Sequence, residues 1–441
     1  MKSRFFASLL VTTAISAVAA ATAEEASPAD VSPAQPVIPA RSFNVKDFGA
    51  VGENASVPNT DAFKRAVEAV DKAGGGTLVV PAGTYFTGPF SLCSNLNFHL
   101  EAGAILLFSP DPEAYRGGGP KGFRPLIQIS NAHDVLISGS GTLNGNGATW
   151  WPEALRFKAE ANARHASSNT SPRPVMVAFT RCQRIRVEGL TLTNSPVFNL
   201  SQSACQDVTV EGITILNPAD SPNTDGIDPK DCQRVLIAHC RIDTGDDCIA
   251  LGGSGGTLEQ DILVTDCTFL HGHGCSIGSG TASGLRNMIV RRCTFDGTET
   301  GVRFKSARGR GGLVENVVYE DLKMRDVGVA ISVSSYYENT PIDSAMGRER
   351  PEPVAATTPR WRNITIRNVT AIDCRKNAGL IAGLPEMPVE AIALENVRIA
   401  APKGLHVVNC RGITLRGVGI VAATGPDVIV DDSVQGLVRS K

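Results

Sequence analysis

The sequence has few aromatic residues and almost no net charge. Only 5% of its 441 residues are aromatic, and 42 basic residues nearly balance 44 acidic ones, which leaves a net charge of -2. Without a global positive field, the chain has no electrostatic reason to associate with nucleic acid or with anionic lipid. We therefore expect neither a nucleic-acid partner nor a membrane partner, and we expect a monomer.

Familiar nucleotide and metal motifs are also missing. The glycines at 74–76 are not followed by the Gly-Lys-Ser/Thr of a phosphate-binding loop, so they predict the end of a helix before a strand at 77–80. The 11 cysteines include no Cys-x-x-Cys pair, which argues against a zinc site. We expect neither a metal nor a cofactor.

Long apolar runs are confined to the N-terminus. Lys2 and Arg4 precede an apolar stretch at 5–20, which ends in Ala21-Thr22-Ala23. This pattern is typical of a cleaved signal peptide, here residues 1–23, and the run is short for a membrane anchor. Residues 24–40, rich in proline, alanine and glutamate, predict a flexible linker, and 41–441 a single domain. We expect a secreted or periplasmic protein.

A repeat runs through most of the remaining chain. It begins Gln-Arg-Ile-Arg-Val-Glu-Gly-Leu at Gln183, and the copies in chain order start at His133, Gln183, Gln206, Gln233, Gln260, Arg286, Glu315, Arg362, Glu390 and Arg411. Subtracting positions gives steps of 23, 27, 27, 26 and 29 residues from Gln183 to Glu315. The steps of 50 residues from His133 and 47 from Glu315 fit two coils, or one coil with a long loop. Such a period, carried by short β-branched strands, predicts an all-β fold, one right-handed parallel β-helix.

One helix is expected near the N-terminal end of this solenoid. Asn59-Thr60 predicts the helix start, and Lys72 its end. The apolar residues of one helix face are Ala62, Ala66, Val67 and Val70. An open solenoid end exposes its core, so we expect this helix to cover it.

Cysteines recur at fixed positions of the repeat. Three precede its start, three stand at its eighth position and two share a third register: Cys182, Cys205 and Cys232; Cys240, Cys267 and Cys293; Cys248 and Cys275. Buried free thiols behave as small hydrophobic groups, and we favour this interpretation over disulfides between coils.

Four polar clusters lie within the repeat: Asn223-Thr224-Asp225, Gly245-Asp246-Asp247-Cys248, Gly272-His273-Gly274 and Arg303-Phe304-Lys305. From Asp225 through Asp246 and His273 to Arg303 the steps are 21, 27 and 30 residues. Since each step is about one coil, the clusters fall on consecutive rungs of one face, within roughly 14 Å. Arg303 and Lys305 lie two apart and point to the same side of a strand.

The clustered side chains suit the hydrolysis of a glycosidic bond. This reaction usually needs two carboxyls, and Asp225, Asp246 and Asp247 supply three. Like charges so close raise at least one pKa, which keeps an acid protonated. The two bases suit a substrate that itself carries carboxylates. Alternatively, the bases only neutralise the acids, and residues such as Asn223 and Asp228 only cap turns.

In this order and at these spacings, the four clusters resemble the polygalacturonase family, the family 28 glycoside hydrolases, from about residue 43 to the last coils. The resemblance implies an inverting hydrolase of α-1,4-galacturonosyl linkages in polygalacturonate or pectin. It implies that Asp246 is the general acid, that Asp225 and Asp247 activate water, and that His273 supports the acid.

The resemblance also implies a set of substrate contacts. Arg303 and Lys305 resemble the bases that grip the galacturonate, and Asn223 orients a neighbour or the sugar. The family has a substrate-contacting tyrosine one coil later, for which we choose Tyr337 over Tyr336. The chain departs from the family by placing Phe, where Ile is common, between the two bases.

Two long breaks interrupt the repeat. The first, residues 145–174, holds Trp150-Trp151 and Arg173, and is either a wall of the binding site or a loop that its tryptophans pack on the coils. The second, residues 336–360, is expected to overhang the face that carries Arg303. If both loops close one end of a cleft, removal of terminal residues is favoured.

Other functions fit parts of the pattern. A pectate lyase shares the solenoid and the polymer but uses calcium and a basic residue, and calcium needs several acidic oxygens without an adjacent acid catalyst. A non-catalytic glycan-binding solenoid would gain nothing from mutually repelling acids such as Asp246 and Asp247. A related pectic polymer, such as rhamnogalacturonan, is also a possible substrate.

Overall fold

The computed structural model describes residues 31–117, 122–164, 170–337 and 347–440. The expected signal peptide lies outside the described residues. Of the expected linker, residues 31–40 are described, and they contact the outside of the coils. The backbone N–H groups of Ala34 and Val37 donate to Asp207 and Asp134, at 3.1 and 2.9 Å.

Short strands stack in parallel into two long sheets, which confirms the predicted right-handed parallel β-helix. Among the described residues, sheet 1 has 23 strands: Ser42–Asn44, Gly76–Val80, Gly83–Thr87, Leu96–Leu100, Ala104–Phe108, His133–Gly139, Thr142–Asn144, Gln183–Glu188, Thr191–Thr193, Gln206–Glu211, Thr214–Leu216, Gln233–Ala238, Arg241–Thr244, Glu259–Thr265, Thr268–His271, Leu285–Arg291, Thr294–Asp296, Leu313–Arg325, Arg360–Ile372, Val389–Ala401, Cys410–Arg416, Gly419–Ala422 and Val438–Ser440. Sheet 2 has 12 within the same part of the chain: Phe90–Ser91, Ile127–Ser130, Val177–Thr180, Leu200–Ser203, Ile227–Lys230, Ile249–Leu251, Cys275–Gly278, Thr300–Lys305, Val329–Ser334, Asn377–Ala382, Lys403–Val408 and Val428–Val430.

The repeat copies pair with one another in the predicted register. Gln183 is the partner of Gln206, and the ladder continues copy by copy to Arg411. His133 pairs directly with Gln183, and Glu315 with Arg362. The two long steps are therefore single coils, each with a long insertion.

The second residue of the repeat has a left-handed backbone, which explains the frequent aspartate and asparagine there. Asp134, Asp207 and Asp261 have φ values of 56°, 57° and 60°. Aspartate and asparagine tolerate this conformation better than most residues. Where an arginine takes the position, it pairs with the aspartate of the coil before, as Arg234 does with Asp207 at 2.7 Å.

Helix α1, Thr60–Lys72, has the predicted bounds and closes the N-terminal end of the core. Its buried face carries Phe63, whose ring stacks on Phe90 with centroids 5.0 Å apart. Asn59 precedes the helix, but its side chain makes no cap hydrogen bond, contrary to the expectation. Its Oδ1 accepts from the N–H of Val51 instead, which ties the helix start to the first turn.

A second α-helix and three 3-10 turns complete the helical structure of the described residues. Helix α2, Trp151–Ala163, forms within the first insertion, and 3-10 turns occupy Val45–Phe48, Pro112–Tyr115 and Gly147–Thr149. In the described part of the chain, no helix is long and apolar enough to cross a membrane. All 11 cysteines are described, all are free, and all but Cys93 are buried, as the free-thiol interpretation predicts.

Candidate active site

The four polar clusters meet on one face because each lies at the start of a sheet 2 strand or on it. Tight turns precede these strands. A Cβ on Gly272 would lie 2.3 Å from the Asp246 carbonyl oxygen, and one on Gly274 would lie 2.1 Å from that of Thr300. Both distances are impossible for a side chain, so the coils approach closely only because these positions are glycine. Asn223 has a φ of 53°, a conformation that asparagine tolerates.

Asp246 is the partly exposed carboxyl of the cluster. Its Oδ1 lies 3.0 Å from His273 Nδ1. The two groups form an ion pair, but the geometry is not that of a well-aligned hydrogen bond. Its Oδ2 accepts from Asn223 Nδ2 at 3.4 Å and lies 3.8 Å from Lys158 Nζ. Burial raises the pKa of Asp246, but His273 outweighs this and holds the pKa below its ordinary value.

Asp247 is a buried anion held by two cations. Lys305 Nζ donates to its Oδ2 at 2.6 Å, and Arg303 donates to its Oδ1 at 2.7 Å. The Ser276 hydroxyl donates to the same Oδ1 at 2.7 Å. Burial raises the pKa of Asp247, but Lys305 and Arg303 outweigh it and hold the pKa well below the ordinary value. Asp247 is therefore ionised over the whole neutral range.

Asp225 is the carboxyl that holds a proton most firmly. It is 8% exposed, and its Oδ1 has no hydrogen-bond partner among the described residues. Burial, followed by the charges of Asp246 and Asp228, raises its pKa well above the ordinary value. The sequence predicted that crowding would raise one pKa, and in the free protein that carboxyl is Asp225 rather than the expected acid, Asp246.

His273 is held between the two adjacent acids. Its Nδ1 is 3.5 Å from Asp247 Oδ1 as well as 3.0 Å from Asp246. Burial lowers the pKa of His273, but the two carboxylates outweigh it and raise the pKa above its ordinary value. The imidazole therefore carries a positive charge to higher pH than a free histidine.

The predicted residues surround one cleft of about 620 Å³. Seven of the eight line it: Asn223, Asp225, Asp246, Asp247, His273, Lys305 and Tyr337. The eighth, Arg303, lies behind Asp247 with 18% of its side chain exposed. Its guanidinium donates to Asp247, which supports the alternative that the sequence left open, namely that Arg303 neutralises an acid. A contact with a ligand is compatible with this role.

Of the two candidate tyrosines, Tyr337 faces the cleft. Its ring centroid lies 5.3 Å from Lys305 Nζ and 5.6 Å from the Arg310 guanidinium carbon. Tyr336 turns away, and its hydroxyl donates to Glu349. Of the two tyrosines, Tyr337 is therefore the one placed where a ligand in the cleft would contact it.

The sequence analysis did not assign four charged residues to the site: Asp228, Lys230, Lys158 and Arg173. Asp228 is fully buried, and Lys230 Nζ lies 3.2 Å from its Oδ2. Burial raises the pKa of Asp228 to about 6. Asp228 and Lys230 lie two positions apart on one strand, as Arg303 and Lys305 do. This spacing could have indicated from the sequence that both face the site. Lys158 and Arg173 lie in the insertion, where no repeat marks their position.

The first insertion combines both roles that the sequence left open. Trp150 packs between Tyr115 and Phe123, with ring centroids 6.0 and 5.3 Å away, which fixes the insertion on the coils. Helix α2 then places Lys158 in the cleft wall.

Buried Arg173, also in the insertion, braces the turn that carries Asn223. Its guanidinium donates to Asn223 Oδ1 and to the carbonyl oxygens of Pro196 and Pro222, each at 2.8 Å. The insertion is thus part of the site as well as packing on the coils.

Beyond Tyr337, the described part of the second break packs away from the cleft. Arg308 contacts Glu349 at 3.4 Å and Glu386 at 2.7 Å, and a Cβ on Gly347 would touch Val408. None of the described residues 347–360 lines the cleft. Of the expected overhang, residues 338–346 lie outside the described residues.

Ligand atoms of Asp246, Asp247 and His273 lie within 4.8 Å of one another, which is close enough to share a cation. Two cationic side chains already neutralise Asp247, however. Calcium prefers six to eight oxygen ligands, and a crowded site with an imidazole and two resident cations fits it poorly.

Comparison with known proteins gives one consistent family. The family model described as "Glycosyl hydrolases family 28" matches residues 76–423. A probable polygalacturonase of Vitis vinifera is 31% identical over 385 residues, covering 82% of this chain and 74% of that protein. The solved exopolygalacturonase of Thermotoga maritima is 28% identical, covers 87% of this chain and 94% of its own, and superimposes with a TM-score of 0.69. The polygalacturonase of Erwinia carotovora, 23% identical with a TM-score of 0.70 over 92% and 100% of the two chains, shares the fold.

Proposed function

Because the chain belongs to glycosyl hydrolase family 28, we propose that it hydrolyses the α-1,4-galacturonosyl linkages of polygalacturonate or pectin. The observation that carries the substrate proposal is the presence of Lys305 in the same cleft as three carboxyls. Acids alone would repel a polyanion, whereas a lysine beside them attracts the uronate carboxylate.

The proposed chemistry divides two roles among three carboxyls. Asp246, the partly exposed one, protonates the leaving glycosidic oxygen. Asp247, which stays ionised, and Asp225, on the rung before, together activate the attacking water: Asp247 accepts its proton, and Asp225, protonated in the free protein, positions it. Attack by water opposite to the leaving group inverts the anomeric centre, as in enzymes that use one carboxyl as acid and another as base. His273 sets the proton affinity of Asp246 through their 3.0 Å contact.

The proposed substrate contacts come from the cleft walls. Lys305 binds the uronate carboxylate, and Arg303 adds positive charge behind it. Tyr337 offers its ring to a sugar face, and Asn223, braced by Arg173, orients Asp246 or the sugar.

The proposal includes a location and an assembly state. The charged and apolar segments within residues 1–23 support a cleaved signal peptide. The enzyme would then be secreted or periplasmic and would encounter the polymer there. We expect the enzyme to act as a monomer.

A proton NMR time course on polygalacturonate tests the reaction. We expect new reducing ends whose first anomeric signal is β, no unsaturated product, and no inhibition by a chelator. An ultraviolet-absorbing unsaturated product that a chelator abolishes would show a lyase, and an α signal first would exclude inversion. The product sizes separate the two cleavage modes, because monomer from the start means terminal cleavage and mixed oligomers mean internal cleavage.

Two other proposals make different predictions in the same experiment. A non-catalytic glycan-binding solenoid would bind the polymer without releasing reducing ends. A hydrolase of a related polymer such as rhamnogalacturonan would release them from that polymer and leave polygalacturonate intact.

A further inference from the structure

Helix α2 places a lysine at the catalytic cleft from outside the repeat. Lys158 lines the cleft, and 29% of its side chain is exposed. The helix start is fixed, because Trp150 is buried among aromatic rings and Trp151 Nε1 donates to the Ser195 carbonyl oxygen at 3.1 Å. The direction of Lys158 toward the cleft is therefore set by the packing of the insertion.

Lys158 and Lys305 lie on opposite sides of the acid pair. Lys158 approaches Asp246 Oδ2, the oxygen that Asn223 of the preceding coil also contacts. His273, from the following coil, contacts the other oxygen. Lys305 comes from one coil later still and pairs with Asp247. Along the solenoid axis the two lysines flank the reacting carboxyls.

The Lys158 contact is looser than the pairs around Asp247. Its nitrogen lies 3.8 Å from Asp246, beyond hydrogen-bond distance, whereas Lys305 and Arg303 lie 2.6 and 2.7 Å from Asp247. An ion pair this loose and partly exposed contributes little by itself. Lys158 is thus available to a second anion, and a polyuronate carries one carboxylate on every ring.

We propose that Lys158 binds a second carboxylate of the polyuronate chain, on the side of Asp246 opposite Lys305, and leaves Asp246 when it does so. This inference rests on the proposed function and adds a specificity-determining residue to it. With one cation on each side of the acid pair, the site would recognise the carboxylates of two uronate rings of one chain. A single lysine would recognise the carboxylate of only one ring.

The exchange also changes the environment of the general acid. The charged groups that face Asp246 are Asp225, Asp228, Asp247, His273, Arg173, Lys305 and Lys158. When Lys158 moves to the substrate, Asp246 loses a neighbouring cation and gains a neighbouring anion. Both changes raise its affinity for a proton when the bound substrate needs one.

Lys158→Met tests the inference, with Lys158→Arg as the charge-keeping variant and Arg156→Met as the matched control. Arg156 lies on the same helix, exposed and paired with Glu153 at 2.7 Å. We expect Lys158→Met to raise KM on polygalacturonate about ten- to a hundredfold, the range of a charge-assisted hydrogen bond. On the fully methyl-esterified polymer KM should change little, Lys158→Arg should recover most of the loss, and the control should match the wild type.

The pH profile gives a second readout that a merely structural lysine would not move. In the free enzyme Lys158 favours the ionised form of Asp246, so its loss should shift the high-pH limb of kcat/KM upward. The same limb of kcat should shift less, since Lys158 has already left Asp246 in the complex.

An unchanged KM for Lys158→Met, or equal losses on both polymers, would overturn the inference while leaving the proposed function standing. A wild type that fails to hydrolyse polygalacturonate would overturn the proposed function itself, and this inference with it.

Discussion

At the scale of single residues, the site separates three neighbouring carboxyls by their surroundings. Asp247 pairs with two cations and Asp246 contacts an imidazole, whereas Asp225 has neither partner and is buried. The result is a pKa lowered for the first two and raised for the third. Neighbouring carboxyls thus hold a proton with different affinities.

The raised pKa of Asp225 predicts a cost in stability that grows with pH. A buried carboxyl whose folded pKa exceeds its unfolded value favours folding while protonated and loses that contribution as pH rises through the folded pKa. Asp225→Asn removes the buried charge at similar shape. The difference in melting temperature between Asp225→Asn and the wild type should therefore increase with pH. The turnover of the variant should be lower than that of the wild type. Exposed Asp220→Asn is the control, and a pH-independent difference would contradict the assignment.

Lys305→Met should lose far more activity on polygalacturonate than on its methyl ester. A charge-assisted hydrogen bond to the carboxylate is worth about 1.5–3 kcal/mol, roughly ten- to a hundredfold in kcat/KM. Raised salt should erode the preference of the wild type for the de-esterified polymer. If Lys305 only neutralises Asp247, both substrates should suffer equally and the melting temperature should fall. Exposed Lys323→Met serves as the control.

At the scale of elements, the repeat predicted how its copies pair from Gln183 to Glu315 and from Arg362 to Arg411, because each copy must bury the same inward positions. It could not decide what the 50- and 47-residue steps contain. Helix α2 escaped prediction because it buries only two of its residues, Ala154 and Ala161, and so shows no broad apolar face. The site residues on rungs were foreseeable from spacing, whereas Lys158 and Arg173 depend on how the insertion packs.

Helix α1 caps the N-terminal end of the solenoid core, and Phe63→Ala tests this capping role. Phe63 is fully buried and stacks on Phe90, so its loss leaves a cavity at the solenoid end. We expect the free energy of unfolding to fall by about 3–5 kcal/mol in a denaturant titration, with catalysis by the folded fraction unchanged. Lys64→Ala, on the exposed side of the same helix, should change it by about 0.5 kcal/mol or less. Equal effects of the two variants would contradict the capping role.

At the scale of the whole molecule, stacking brings distant residues to one place. Asp247 and Arg303 are 56 residues apart in sequence, yet their side chains lie 2.7 Å apart. Neighbouring coils keep this geometry through parallel pairing and buried columns of cysteine and aliphatic side chains. We propose that the carboxyls gathered in this way, with Asp246 as the acid, carry out the hydrolysis.

The hydrolysis rate of Asp246→Asn on polygalacturonate, measured beside the affinity of this variant for the polymer, tests the role of Asp246. General acid catalysis contributes about 10²–10⁴-fold, so we predict at least that loss of turnover with polymer binding retained. Asp243→Asn is the matched control, since Asp243 lies three residues earlier, outside the cleft lining, and contacts His271 at 2.8 Å. Near-native turnover by Asp246→Asn would show that Asp246 is not the general acid.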